Sequence, residues 1–177
     1  MDISSRVPKW GQLLPVYGVI VLLVYGWTLY WFLWKFPSWL YFLTIGEILA
    51  ALSYSIVTNF LESIAVLALP VMLSLALPKK WFFEVFVARA TAMVVPGLAF
   101  MMYIATQFQT RDDYPRELIK WSPLVALGIA GFAFLIGQVP TLRKALEFLA
   151  DRAAIFVYLS IPLSLVALIA VLARLIF

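Results

Sequence analysis

Polar side chains that could do chemistry line one helical face within an otherwise apolar part of the sequence. At about 100° per residue, they project within an arc of about 100°. A carboxylate beside amide and hydroxyl oxygens in an apolar segment could bind a proton or a cation. The residues of this face are Glu47, Tyr54, Ser55, Thr58 and Glu62, with Asn59 at its margin.

The sequence excludes most other chemistry because it contains neither His nor Cys. That absence rules out His- or Cys-ligated cofactors, including haem and iron–sulfur clusters, and also His-based catalytic triads. A Walker A loop, a dinucleotide-binding glycine pattern and the HExxH and GxSxG motifs are missing as well. We therefore predict no cofactor and no metal site, and expect a non-catalytic chain.

The composition indicates that lipid, rather than water, surrounds this chain. Of its 177 residues, 65% are hydrophobic and 12% are charged, and the mean hydropathy is +1.02. Soluble domains are roughly half apolar and a quarter charged, so one core could not hide so many apolar side chains from water. We predict an all-α, polytopic integral membrane bundle that forms a single transmembrane domain over residues 1–177.

Four charge-free stretches are long enough to cross the membrane, since a spanning helix needs about 20 apolar residues. The segment between Lys35 and Lys79 could cross once or twice. With one crossing and a cytoplasmic N-terminus, eight of the 13 Lys and Arg residues lie inside, whereas two crossings leave six inside. Positive charge favours the cytoplasmic side, so one crossing is the better prediction.

The prediction is thus about five transmembrane helices, with six as the alternative and the N-terminus in the cytoplasm. The expected location is a prokaryotic cytoplasmic membrane. The predicted spans are 13–34, 48–77, 90–110, 121–140 and 153–174, with interfacial segments at 36–46 and 141–152. Pro70, Pro96 and Pro162 fall inside spans, where we expect kinks.

Glu62 has two interpretations. It lies about 22 Å along the helix from Glu47, which places it near mid-membrane. It could bind a proton or cation, with Asn59 and Thr58 as neutral ligands and Glu47 at an outer vestibule. Alternatively, the polar face joins this helix to another helix or to a partner chain, and Glu62 is protonated or paired with Arg89. We favour the second interpretation because the sequence has one clearly intramembrane carboxylate.

Other segments predict contact surfaces. Small residues form a ridge on the fourth span and another on the fifth, which would pack inside the bundle or, facing outward, against a partner. The amphipathic segment 141–152 carries Arg143, Lys144 and Arg152, which could attract anionic lipid headgroups. The loop 111–117 alternates in charge, and we expect a self-neutralising cap there rather than a divalent-cation site. The ridge residues are Ala126, Ala130, Ala133 and Gly137 on the fourth span, and Ser160 and Ser164 on the fifth.

These features favour a non-catalytic integral membrane subunit that organises or stabilises a larger membrane protein assembly. Its expected partners are membrane lipids and other membrane protein subunits. Nucleic acid is not expected, because the basic residues are scattered between apolar runs. The alternative is a small proton- or cation-coupled transporter or channel that uses Glu62. A membrane enzyme using Glu47, Asp112 or Asp113 is less supported, since these acids lie on different segments.

Overall fold

The computed structural model describes residues 7–79, 81–110 and 116–176, without the side chains of residues 108–110, 117 and 118. These residues form six α-helices, with a short 3-10 turn at Phe83–Val85, and no β-strand. The helices are α1 (Trp10–Trp39), α2 (Ile45–Ala76), α3 (Phe86–Thr110), α4 (Arg116–Ile136), α5 (Pro140–Ala153) and α6 (Ile155–Ile176).

Five helical segments of the described chain are long and apolar enough to cross a membrane. They are Trp10–Trp39, Ile45–Ala76, Phe83–Gln107, Ile119–Ile136 and Pro140–Ile176, the last of which contains both α5 and α6. This finding confirms the predicted fold class, an all-α bundle of about five spans, and makes the chain a multi-pass integral membrane protein. The helices α2, α3 and α6 continue through Pro70, Pro96 and Pro162 without a break.

The boundary between the first two spans differs from the sequence prediction. Helix α1 does not end at residue 34 but continues to Trp39, past Lys35, whose long side chain can reach polar surroundings from within a helix. Helix α2 begins at Ile45 because Thr44 caps it, so the predicted interfacial segment 36–46 contains the end of α1, a short turn and the start of α2. Helix α5 covers the predicted segment 141–152 and has Pro140 at its first position, where proline suits a helix start.

Helix α1 is the centre of the bundle. Within its most apolar stretch 44% of the residues are buried, compared with 11% for α4. Its side chains Val16, Ile20 and Val24 form the main core with residues of α2, α3 and α6. Helix α4 lies at the periphery and packs on α3, where small residues such as Ala88 and Ala133 allow a close approach.

Three hydrogen bonds join polar side chains of α1 to neighbouring helices. Such bonds matter in a bilayer, because apolar packing alone gives little preference for protein over lipid. The Tyr17 hydroxyl contacts the Ser63 hydroxyl of α2 at 3.1 Å, the Tyr25 hydroxyl contacts the Ser164 hydroxyl of α6 at 2.7 Å, and the Thr28 hydroxyl donates to the Asn59 side-chain oxygen of α2 at 2.9 Å.

Gly18 permits the closest approach of α1 to another part of the chain. A Cβ atom at this position would lie 2.5 Å from the Ala153 carbonyl oxygen and 2.7 Å from the Ala154 Cα atom. Both neighbours are backbone atoms at the junction of α5 and α6, so they cannot move aside as a flexible side chain could. Gly18 is therefore a packing requirement for the contact between α1 and this junction.

We predict that Gly18→Ala lowers the free energy of unfolding by about 1–3 kcal/mol, the usual cost of overpacking. The measurement is unfolding by sodium dodecyl sulfate in mixed micelles, followed by circular dichroism. Gly26→Ala is the matched control, because Gly26 lies on the same helix with open space around it. Equal stability of the two variants would contradict the close contact between Gly18 and Ala153.

Candidate functional site

The structure divides the polar face of α2 between the interior and the surface of the bundle. Tyr54, Thr58 and Glu62 are exposed, whereas Asn59 is buried and Ser55 is half-buried. Two of the hydroxyls donate within the helix, Ser55 to the Ala51 carbonyl and Thr58 to the Tyr54 carbonyl. The face is therefore not one continuous site.

Asn59 forms the inner part of the candidate site. Its side chain is 4% exposed, and its Oδ1 atom accepts the hydrogen bond from Thr28. Its Nδ2 atom is buried and has no hydrogen-bond partner among the residues that the structure describes. A buried amide donor without a partner is destabilising, so the sequence retains a group that packing alone does not require.

Glu62 lies at a groove between α1, α2 and α3 with a volume of about 460 Å³. Thr28 also lines this groove, and thereby connects Glu62 to the buried Asn59. Most of the remaining lining is apolar and includes Val24, Leu98 and further aliphatic or methionine side chains. Glu62 makes no hydrogen bond or ion pair within the part of the chain that the structure describes.

Aromatic side chains of α1 continue from this groove towards the end of the helix. Trp27 lines the groove and stacks on Tyr30, with ring centroids 6.0 Å apart. Trp31 contacts both Trp27 and Trp34 edge to face, at 5.7 and 5.3 Å. Amphipathic rings of this kind favour the level of the lipid headgroups, which fits the last turns of a spanning helix.

Glu47 has a local structural task at the start of α2. Its carboxylate accepts hydrogen bonds from the Thr44 backbone N–H and hydroxyl, both at 2.8 Å. In return, its own N–H donates to the Thr44 hydroxyl oxygen at 3.3 Å, which completes a capping box. The sequence signal for this role was the spacing of Thr44 and Glu47, which the sequence analysis missed.

Arg89 lies at a cavity different from that of Glu62, and the two side chains form no ion pair. Its side chain is 6% exposed, and the guanidinium lies 5.7 Å from the centre of the Phe134 ring. The Nε and Nη1 atoms are buried and have no hydrogen-bond partner in the described part of the chain. The structure thus separates Arg89 from the carboxylate that we considered as its partner.

The small-residue ridges have different surroundings. On α4, Ala133 is buried whereas Ala126 and Ala130 are exposed, and Gly137, directly after the end of α4, faces Arg89. On α6, Ser160 and Ser164 are both buried, and each donates to a carbonyl of its own helix. The α6 ridge therefore packs inside the bundle, while part of the α4 ridge stays uncovered.

The basic residues of α5 lie mainly at the surface. Arg143 forms an ion pair with Glu147 one turn later, at 2.9 Å, and Arg152 lies 5.1 Å from the centre of the Phe148 ring. Lys144 is exposed. Ala150 and Ala153 are buried in the bundle, whereas Leu142 and Leu149 are exposed.

Neither metal chemistry nor a known relative assigns a function to these sites. Among the described residues, no group of three or more Asp or Glu side chains is arranged to hold a metal ion. The charged loop around Asp112 and Asp113 lies outside the described residues. No protein-family model, no curated protein and no solved structure matches the chain.

We predict that losing one partner of the Thr28–Asn59 hydrogen bond lowers the stability of the bundle, whereas replacing both partners with apolar residues does not. Thr28→Val leaves the Asn59 oxygen without its donor and should lower the free energy of unfolding by about 1 kcal/mol. Combining Thr28→Val with Asn59→Leu replaces both polar groups, so the double variant should regain at least wild-type stability. Unfolding in mixed micelles measures both. A double variant as unstable as the sum of the single effects would contradict this interpretation.

Proposed function

We propose that this chain is a non-catalytic subunit of a larger membrane assembly, which it organises by presenting one face of α2 to a partner transmembrane helix. The observation that carries the proposal is Glu62, an exposed carboxylate near the middle of a spanning helix. Leaving a carboxylate in hydrocarbon costs at least about 2.5 kcal/mol on the scale of membrane insertion. A polar group on a partner helix would remove much of this cost.

In a membrane protein, an exposed polar side chain indicates where a partner binds better than an exposed apolar side chain does. Exposed apolar side chains are at home in lipid and need no partner. The α2 outer face, defined here by Tyr54, Thr58, Leu61 and Glu62, combines apolar surface with polar groups. Because the Thr58 proton already bonds to the Tyr54 carbonyl, the Thr58 oxygen remains able to accept. A partner helix with hydrogen-bond donors, or with one basic side chain, would complement this face.

Site-directed crosslinking tests whether a protein covers the α2 outer face. A photoreactive amino acid replaces Leu61, which is 62% exposed beside Glu62. Leu165 on α6, at 57% exposure, is the matched control on another lipid-accessible helix. After illumination of intact membranes at native expression level, position 61 should give a defined protein adduct, whereas position 165 should not.

We predict that Glu62→Leu reduces recovery of the partner in mild detergent by at least about tenfold, because it removes one member of a buried polar contact. The bundle itself should be as stable as the wild type or more stable, since Glu62 has no partner among the described residues. Leu69→Ala, at an exposed apolar position of the same helix, serves as the control. Undiminished recovery with Glu62→Leu would refute this docking surface.

A second candidate function is proton- or cation-coupled transport through Glu62. What supports it is the groove itself, in which Glu62 lies near Thr28 and the buried Asn59 amide. Oxygen atoms at such a place could receive a proton or a small cation. The groove is bounded by α1, α2 and α3 of one chain, so a conducting path would need a second chain or an opening of these helices.

Flux in liposomes decides between the two functions. If the chain transports, purified protein should move protons or a cation across the bilayer, and Glu62→Gln should abolish this flux while the bundle keeps its stability. If the chain is a subunit without transport activity, neither protein should exceed the leak of empty liposomes. Flux that depends on Glu62 would replace the first proposal with the second.

A further inference from the structure

Arg89 is a buried cation with two nitrogen atoms that the described residues do not satisfy. The side chain is 6% exposed, and the Nε and Nη1 atoms have no partner among the described residues. A guanidinium has five N–H donors and stays charged, so it cannot avoid the problem by losing a proton. Buried charges in proteins are normally paired, which makes this one an indication of a missing ligand.

Within the described part of the chain, no acidic side chain forms an ion pair with Arg89. Two charged side chains act on Arg89 electrostatically, Arg143 and Glu84. The first repels a cation, and the second is exposed and forms no ion pair with Arg89. The contact with the Phe134 ring contributes only a cation–π attraction. The attraction from Glu84 and the repulsion from Arg143 therefore oppose each other, and the buried guanidinium has no direct counter-ion among the described residues.

An apolar cavity of about 300 Å³ adjoins this guanidinium. Its walls come from the end of α2, the beginning of α3 and the end of α4, and include Leu73, Leu77, Met93 and Ala130. Arg89 is the charged residue of this lining. The volume is at the small end of the range of roughly 300–1,000 Å³ that ligand sites occupy, so it would hold part of a hydrocarbon chain.

Gly137, which has no Cβ atom, leaves room for the Arg89 guanidinium at the end of α4. A Cβ atom at this position would overlap the Nε atom and the carbon of the Arg89 guanidinium. The glycine therefore lets α4 pass close to the charged group, while Phe134 one turn earlier covers one of its faces. The arrangement holds Arg89 at the cavity instead of allowing it to extend to the surface.

The depth of the site matches the headgroup region of a bilayer. Arg89 lies in the first turn of α3, at the end of the bundle where α2 ends and α4 ends. Trp81, which also lines the cavity, is 59% exposed, and a tryptophan of this kind favours the membrane interface. A ligand with an acidic group at this depth and an acyl chain below it would contact both the Arg89 guanidinium and the apolar cavity.

We propose that Arg89 binds the phosphodiester of an anionic phospholipid, with part of one acyl chain in the apolar cavity. Arginine pairs well with phosphate oxygens, because its planar N–H groups can donate two parallel hydrogen bonds. This inference does not rest on the proposed function, since Glu62 and Arg89 line different cavities. A lipid fits better than a protein carboxylate because the cavity beside the charge is apolar and has room for part of an acyl chain.

Native mass spectrometry of the full chain in neutral detergent tests the proposal with added phosphatidylglycerol and phosphatidylcholine. The wild type should bind one phosphatidylglycerol at least about tenfold more tightly than phosphatidylcholine, and Arg89→Gln should remove this preference. Arg174→Gln is the control, since Arg174 is an exposed arginine in the last turn of α6, away from the cavity. Equal binding of the two lipids by the wild type would overturn the proposal.

A second variant separates binding from folding. Ala130→Leu fills the cavity and leaves Arg89 in place, so it should weaken phosphatidylglycerol binding several-fold even if Arg89→Gln fails to fold. Unchanged binding by Ala130→Leu would overturn the proposed acyl site. Oleate that binds more tightly than phosphatidylglycerol would identify a fatty acid carboxylate as the ligand and would also refute the phospholipid. Retention of phosphatidylglycerol through delipidation by the wild type, and its loss in Arg89→Gln, would support the proposal.

Discussion

Hydrocarbon surrounds this bundle, so its helices gain little from moving apolar side chains out of their solvent. What holds them in one arrangement is close packing and a few polar contacts, and α1 provides most of both. It meets the α5–α6 junction at Gly18 and forms side-chain hydrogen bonds with α2 and α6. The remaining helices take their places around it, and α4 joins through α3.

Two charged side chains, Glu62 and Arg89, form no hydrogen bond between helices of the described chain. Glu62 is exposed on the outer face of α2, where lipid would surround a carboxylate. Arg89 is enclosed, with two N–H-bearing atoms unsatisfied beside an apolar cavity. Among the described residues neither charge has an ion-pair partner that would offset its removal from water. Local rules that fail in this way usually mark functional sites, and we propose a molecule outside the chain as the partner of each charge.

Parts of the candidate site followed from the residues themselves. The period of α2 grouped Glu62 with Asn59, Thr58 and Tyr54, and the cost of charge in lipid singled out Glu62. The surroundings of Arg89 could not be predicted, because they depend on where α4 lies against α3. Thr28 was missed for a similar reason. A single hydroxyl in an apolar helix carries no signal until its neighbour on another helix is known.

Composition and hydropathy determined the solvent, the helical class and about five spans, since a chain in lipid must satisfy its backbone within each helix. Tertiary structure alone decided which side of each helix faces inward. In water, the apolar side of a helix marks the interior, but in a membrane both the lipid and the core are apolar. Asn59 and Glu62 thus look alike in the sequence, and only the packing around α1 turned one inward and left the other outside.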